Sequence, residues 1–154
     1  MYRRNRIAAL STVLTLIALT AAACNNPVQP EDHPEAGGVV IFAAGTNTVL
    51  AQSVGANVNF TTTLDLTVGT PLEVEVMFLD RSDPTNLSLA FHPDADEGES
   101  LLVDVDNPAV LEYHAHGDHG DFEPVAAGTT TVVFELRHGD HPDFRSGELT
   151  AVVQ

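Results

Sequence analysis

An antiparallel all-β sandwich is the fold class this sequence predicts, on three observations. Residues 72–78 read Leu-Glu-Val-Glu-Val-Met-Phe, which alternates at the two-residue period of a strand with one buried face. Short runs rich in valine and threonine recur along the chain, with glycine, proline, asparagine or aspartate between nearly all of them. Beyond residue 24, no segment places apolar side chains at i, i+3, i+4 and i+7, so no amphipathic helix is expected there.

The first element is a processing segment. Arg3, Arg4 and Arg6 form a positive start, Ile7 to Leu19 an apolar stretch, and Ala21-Ala22-Ala23-Cys24 a small-residue ending. The apolar stretch is shorter than the ~20 residues that span a bilayer. The ending resembles the lipobox of bacterial lipoproteins, whose cysteine becomes the lipidated first residue. That resemblance implies residues 1–23 as a signal peptide, a lipid anchor on Cys24, and export to the cell envelope, on the periplasmic or outer-membrane face. Residues 24–37, rich in Asn, Pro, Glu and Gly, read as a flexible tether that carries a solvated His33. Residues 38–154 then form one domain, long enough to bury a core.

Within that domain the expected strands are Gly38 to Ala43, Thr48 to Ser53, Asn57 to Leu66, Leu72 to Phe78 and Leu87 to Phe91. Further strands are expected at Leu101 to Val105, Val110 to Tyr113, Asp121 to Val125, Thr129 to Arg137 and Leu149 to Val153. In the fourth, Val74, Val76 and Phe78 face the core while Glu73 and Glu75 face water; Thr130, Val132, Phe134 and Leu136 alternate in the same way.

Three short motifs add a family. Leu66-Thr-Val-Gly69-Thr-Pro-Leu72-Glu-Val74, Asp106-Asn-Pro-Ala-Val110 and Pro124-Val-Ala-Ala-Gly128-Thr-Thr-Thr131-Val occur in that order. Together they resemble the bacterial immunoglobulin-like domains of the group-2 type, from about Asp65 to the C-terminus. The resemblance implies an immunoglobulin-like sandwich and, as the alternative function for the chain, a metal-independent structural or adhesion module at the cell surface. Typical members of that family carry no histidine clusters at these positions.

Charge and cysteine count narrow the function. After Cys24 there are three arginines and no lysine against 22 acidic residues, a balance of −19 with histidines neutral. Such a surface repels nucleic acid and attracts cations. Lysine-free acidic surfaces also suit high salt, which accounts for bulk charge but not for clustered histidines. Cys24 is the only cysteine, so internal disulfides, thiol catalysis and cysteine zinc sites are excluded.

Five of the seven histidines lie between Tyr113 and Phe144. They form two clusters, His114-Ala-His116-Gly-Asp118-His119-Gly-Asp121 and His138-Gly-Asp140-His141-Pro-Asp143. Two strands separate the clusters, and connections two strands apart fall at the same end of an antiparallel sandwich. Both clusters are therefore expected on loops of one rim, with the acidic loop His92 to Glu99 beside them. Zinc takes four ligands, imidazole nitrogens at about 2.0–2.1 Å or carboxylate oxygens, from separate chain segments. His114 and His116 point the same way on a strand, His119 returns across a turn, and His138 or His141 completes the set. Asp118 and Asp140 are placed to orient the rings, and His92 is at most an accessory ligand.

The reading from sequence is a lipid-anchored envelope protein that binds a divalent transition metal, zinc first and copper second, for capture, buffering or delivery. A transporter or receptor in the envelope is the expected partner. Calcium is the rival ion, through Asp94, Asp96, Glu97 and Glu99 or Asp80 and Asp83, but it leaves the histidines unexplained. No enzyme is expected. The string His114-Ala-His116-Gly-Asp118-His119 matches the motif of metallo-β-lactamase-fold hydrolases, yet only 35 residues and no helices follow it. The faint likeness to copper–zinc superoxide dismutase lacks that family's cysteine pair. No nucleophile stands beside a base.

Overall fold

The computed structural model describes residues Pro34–Gln154 apart from Asp118. The expected signal segment, Cys24 and most of the expected tether lie outside the described residues. Ten strands follow: β1 (Ala36–Ala43), β2 (Val49–Val54), β3 (Thr63–Leu66), β4 (Leu72–Asp80), β5 (Glu99–Val105), β6 (Leu111–His116), β7 (His119–Pro124), β8 (Gly128–His138), β9 (His141–Arg145) and β10 (Leu149–Val153). β1 begins two residues ahead of the expected Gly38, and Arg81 anchors its approach through Glu35 at 2.8 Å.

The strands build two sheets. One has the order β2-β1-β4-β7-β6, all antiparallel; the other has the order β3-β10-β8-β5, with β9 also on β8. β10 runs antiparallel to β8 but parallel to β3. With β4 as strand B, the two sheets carry A-B-E-D (β1, β4, β7, β6) and C-F-G (β5, β8, β10), an order compatible with an immunoglobulin-like domain. The β2 addition, β3 on the edge of β10 and the β9 segment lie outside that plan.

Alternation places the core. Val74, Val76 and Phe78 from β4, Leu111 from β6 and Phe122 from β7 meet Val132, Phe134 and Leu136 from β8 and Leu149 from β10 between the sheets. A second, smaller cluster of Val40, Phe42 and Leu79 lies on the other face of β1 and β4, with Met77 and Ala90 packed against it. Strands buried on both faces lose strict alternation, as β1 and β8 do.

Two expected strands fold otherwise. Of residues 57–66 only Thr63–Leu66 is a strand. The preceding stretch crosses between sheets: Asn57 has φ +58, its N–H donates to the Arg145 carbonyl at 2.9 Å, and Ser53 Oγ donates to the Val58 carbonyl at 2.5 Å. Gly147 is required at this crossing, because a Cβ there would overlap the backbone of Val58 and Asn59. The run 87–91 forms a 3-10 turn over Leu87–Leu89, capped by Asn86 Oδ1 on the Ser88 N–H at 3.2 Å. Only Phe91 bridges to β4, through Phe78. The asparagine two residues ahead offers the backbone a local partner in place of a ladder.

Candidate metal centre

The two histidine clusters lie on the ends of paired strands rather than on loops. His116 and His119 close the β6–β7 hairpin, and His138 and His141 close the β8–β9 hairpin. Two residues separate each pair, and the first of them, Gly117 or Gly139, has φ +71 or +57. An L side chain seldom adopts that conformation, so glycine sets the hairpin. β9 is not among the expected strands, because Pro142 and three polar residues surround Phe144, its one buried side chain.

Both hairpins and the acidic segment lie at one end of the sandwich. The Gly139 N–H donates to the Gly98 carbonyl at 3.1 Å, and Glu99 of β5 pairs with His138 of β8. A cavity of about 460 Å³ opens beside them, lined by His92, Glu99, Tyr113 and His119 over Val76 and Leu101. Glu99 is buried and accepts the Asp94 N–H at 2.9 Å. His92 Nε2 lies 2.9 Å from Glu75 Oε1.

The β6–β7 ladder sorts side chains by face. Leu111 and Tyr113 turn inward, whereas Glu112, His114 and His116 turn to solvent opposite Glu123, Asp121 and His119. His114 Nε2 lies 3.2 Å from Glu123 Oε2 and 3.5 Å from Glu112 Oε2. Each of these three residues offers a ligand atom within 4.8 Å of the others, making a His/Glu/Glu triad that an ion can enter with small side-chain rotations. The side chains are about half exposed, at 47% for His114 and 54% for Glu123.

The remaining sequence-predicted residues pair locally. His116 Nε2 lies 3.0 Å from Asp121 Oδ2, and its ring centroid is 5.9 Å from that of His119. On the other hairpin, His138 and His141 stack at 5.9 Å, with Asp143 Oδ1 3.3 Å from His141 Nε2 and Asp143 Oδ2 3.8 Å from His138 Nδ1. Among the described residues, the five histidines are thus split over two hairpins. Asp118 lies outside the described residues, and Asp140 contributes its main-chain carbonyl, which accepts Arg137 Nη2 at 2.6 Å. Among the described residues, Glu112, Asp121, Glu123 and Asp143 bring carboxylates to these rings. Strand geometry explains this: residues two apart share a face, so Asp121 follows His119 and Asp143 follows His141 onto the same side.

Sequence reasoning passed over Glu112 and Glu123 as solvated acids; their offsets from His114, two back on one strand and diagonal on its partner, were the available signal. It also passed over Tyr113, which packs on Phe122 at 5.2 Å and covers Gly120. Burial holds the Tyr113 hydroxyl above its ordinary pKa of 10.0, and the Asp121 charge adds to that shift. Of the carboxylates weighed for calcium, Asp80, Asp83 and Asp94 are engaged in local turns. Asp94 Oδ1 accepts the Asp96 N–H at 2.9 Å, and Asp80 Oδ1 accepts the Ser82 hydroxyl at 2.5 Å and the Ser82 N–H at 2.7 Å, which together lower the Asp80 pKa.

No protein-family model and no curated protein matches the chain.

The field around the site is negative and uncompensated. All three arginines of the described residues are taken: Arg81 by Glu35, and Arg137 and Arg145 by the buried Glu135. Each remaining carboxylate therefore adds to the attraction for cations.

Proposed function

We propose that this chain is an exported, lipid-anchored envelope protein whose immunoglobulin-like domain, of the bacterial group-2 type, binds a divalent transition metal for capture, buffering or delivery. Zinc is the first choice and copper the second. The observation that carries this reading is the Glu112–His114–Glu123 triad, whose ligand atoms lie within 4.8 Å of one another on two adjacent strands. One imidazole and two carboxylates suit a borderline divalent ion, and a solvent-exposed position leaves the fourth coordination site open to water or to an acceptor. An open, exposed site exchanges its ion readily. That favours transfer to an envelope transporter or receptor over structural retention, and the protein acts by ligand exchange rather than as an enzyme.

The test is a zinc titration of the full chain carrying Cys24→Ser, beside the same chain with Glu112→Gln and His114→Gln. The expected result is binding tighter than ~10 μM, with one equivalent lost in the triad variant. Zinc binding of unchanged stoichiometry in that variant removes the triad from the account. Absence of zinc binding altogether returns the protein to the structural or adhesion class.

A further inference from the structure

The same six-residue string, His-Gly-Asp-His-x-Asp, occurs twice, at 116–121 and at 138–143. Both copies close a hairpin, although a register shift between Leu136 and Arg137 interrupts the second ladder alone. Each histidine pair closes a hairpin across two residues, each pair of rings lies 5.9 Å apart, and each trailing aspartate reaches a ring nitrogen, at 3.0 Å for Asp121 and 3.3 Å for Asp143. We propose that the two hairpins are equivalent metal clamps, each taking one divalent transition ion between its two imidazoles and its trailing aspartate.

The chemistry fits in three respects. Two imidazoles and one carboxylate are the ligand types that zinc, copper or nickel accepts, and they leave one position open. Two nitrogens on a tetrahedral zinc stand about 3.3 Å apart, so an ion would have to draw each pair of rings together from 5.9 Å between centroids. Asp121 also holds a buried oxygen, Oδ1, that finds no hydrogen-bond partner among the described residues, an arrangement that a bound cation relieves.

The second hairpin isolates the clamp from the triad. Where the first hairpin carries Glu112, His114 and Glu123, the second carries Arg137, Glu135 and Arg145, already joined to one another. A metal on β8–β9 is therefore assigned to His138, His141 and Asp143. The proposal shares with the function above the premise that the domain binds metal, but rests on these separate ligands.

The experiment is zinc stoichiometry by equilibrium dialysis on the full Cys24→Ser chain, with zinc ion alone as the probe, in four further forms. These carry His116→Gln/His119→Gln, His138→Gln/His141→Gln, Asp143→Asn, or the triad pair Glu112→Gln/His114→Gln. Each histidine double variant is expected to lose one equivalent, and Asp143→Asn, which leaves both rings and the hairpin in place, to weaken the second clamp about tenfold or more. Imidazole nitrogen resonances of His138 and His141 are expected to shift together as zinc is added, and to do so in the triad variant as well. Loss of the clamp equivalents with no loss in the triad variant would refute the triad alone. Unchanged stoichiometry in either histidine double variant, or static His138 and His141 resonances at saturation, overturns the two-clamp proposal.

Discussion

Gly120 couples the fold to the histidine-bearing β6–β7 ladder, and its replacement by alanine tests that coupling. The residue is buried between His119 and Asp121. A Cβ there would overlap the Tyr113 hydroxyl and Cζ and would lie 2.8 Å from the His114 carbonyl oxygen. Overpacking of this kind costs about 1–3 kcal/mol. Alanine returns about 0.4–1 kcal/mol by restricting the unfolded chain, since the backbone at Gly120 is not in the left-handed region. The difference spans roughly 0–2.6 kcal/mol, and overlap with both the Tyr113 hydroxyl and Cζ puts the expectation in its upper half, a loss of roughly 1.3–2.6 kcal/mol, or roughly 3–6 °C in Tm per kcal/mol lost for a domain of this size. Thermal unfolding of the full chain, followed by circular dichroism, reads this directly. A double-mutant cycle with Tyr113→Ala supplies the control, because most of the clash is with the ring. In that background Gly120→Ala is expected to cost at least ~0.5 kcal/mol less, with the His114 carbonyl accounting for the remainder. A Gly120→Ala chain as stable as its parent with Tyr113 in place would refute the packing argument.

Two further predictions concern charge. Arg145→Ala leaves the buried Glu135 carboxylate with Arg137 as its ion-pair partner and is expected to destabilise the domain by about 1–3 kcal/mol. Glu135→Gln, which removes the buried charge itself, should cost less in the same chemical-denaturation assay. The raised Tyr113 pKa has a definite sign: because the folded state disfavours the phenolate, its contribution is fully present below pH 10.0 and is lost as pH rises above that value. Tyr113→Phe should therefore flatten the alkaline limb of a stability-against-pH curve, and an identical limb in both proteins would contradict the burial of the hydroxyl.

How much was legible in the sequence follows from which signals are local. Alternation in residues 72–78 gave β4 with its buried face, because a period of two is written directly in the side chains, whereas in β8 the expected Val132, Phe134 and Leu136 are core but Val133 and Glu135 are buried as well. Strand counting placed both histidine clusters at one end, since antiparallel connections alternate ends whatever their sequence. The stretch at 57–62 and the 87–91 run misled for opposite reasons. The first is held extended by backbone bonds to a segment some ninety residues away, while Asn86 turns the second locally against its own strand propensity. β9 stayed hidden because its pairing on β8 needs only Phe144 in the core. The ligand geometry was the least legible part. Which carboxylate meets which imidazole depends on the β6–β7 register, which sets Glu112 opposite Glu123 and His114 opposite Asp121. The repeated His-Gly-Asp-His-x-Asp string was open to inspection, but its meaning needed both copies to form hairpins.

Crystals of the chain grown with zinc, examined by anomalous diffraction at the zinc edge, test the central claim most directly. The expected peak lies on the β6–β7 hairpin about 2.0–2.2 Å from a His114 ring nitrogen and from an oxygen of Glu112 or Glu123. A zinc-saturated crystal with no peak within bonding distance of His114 would contradict that claim.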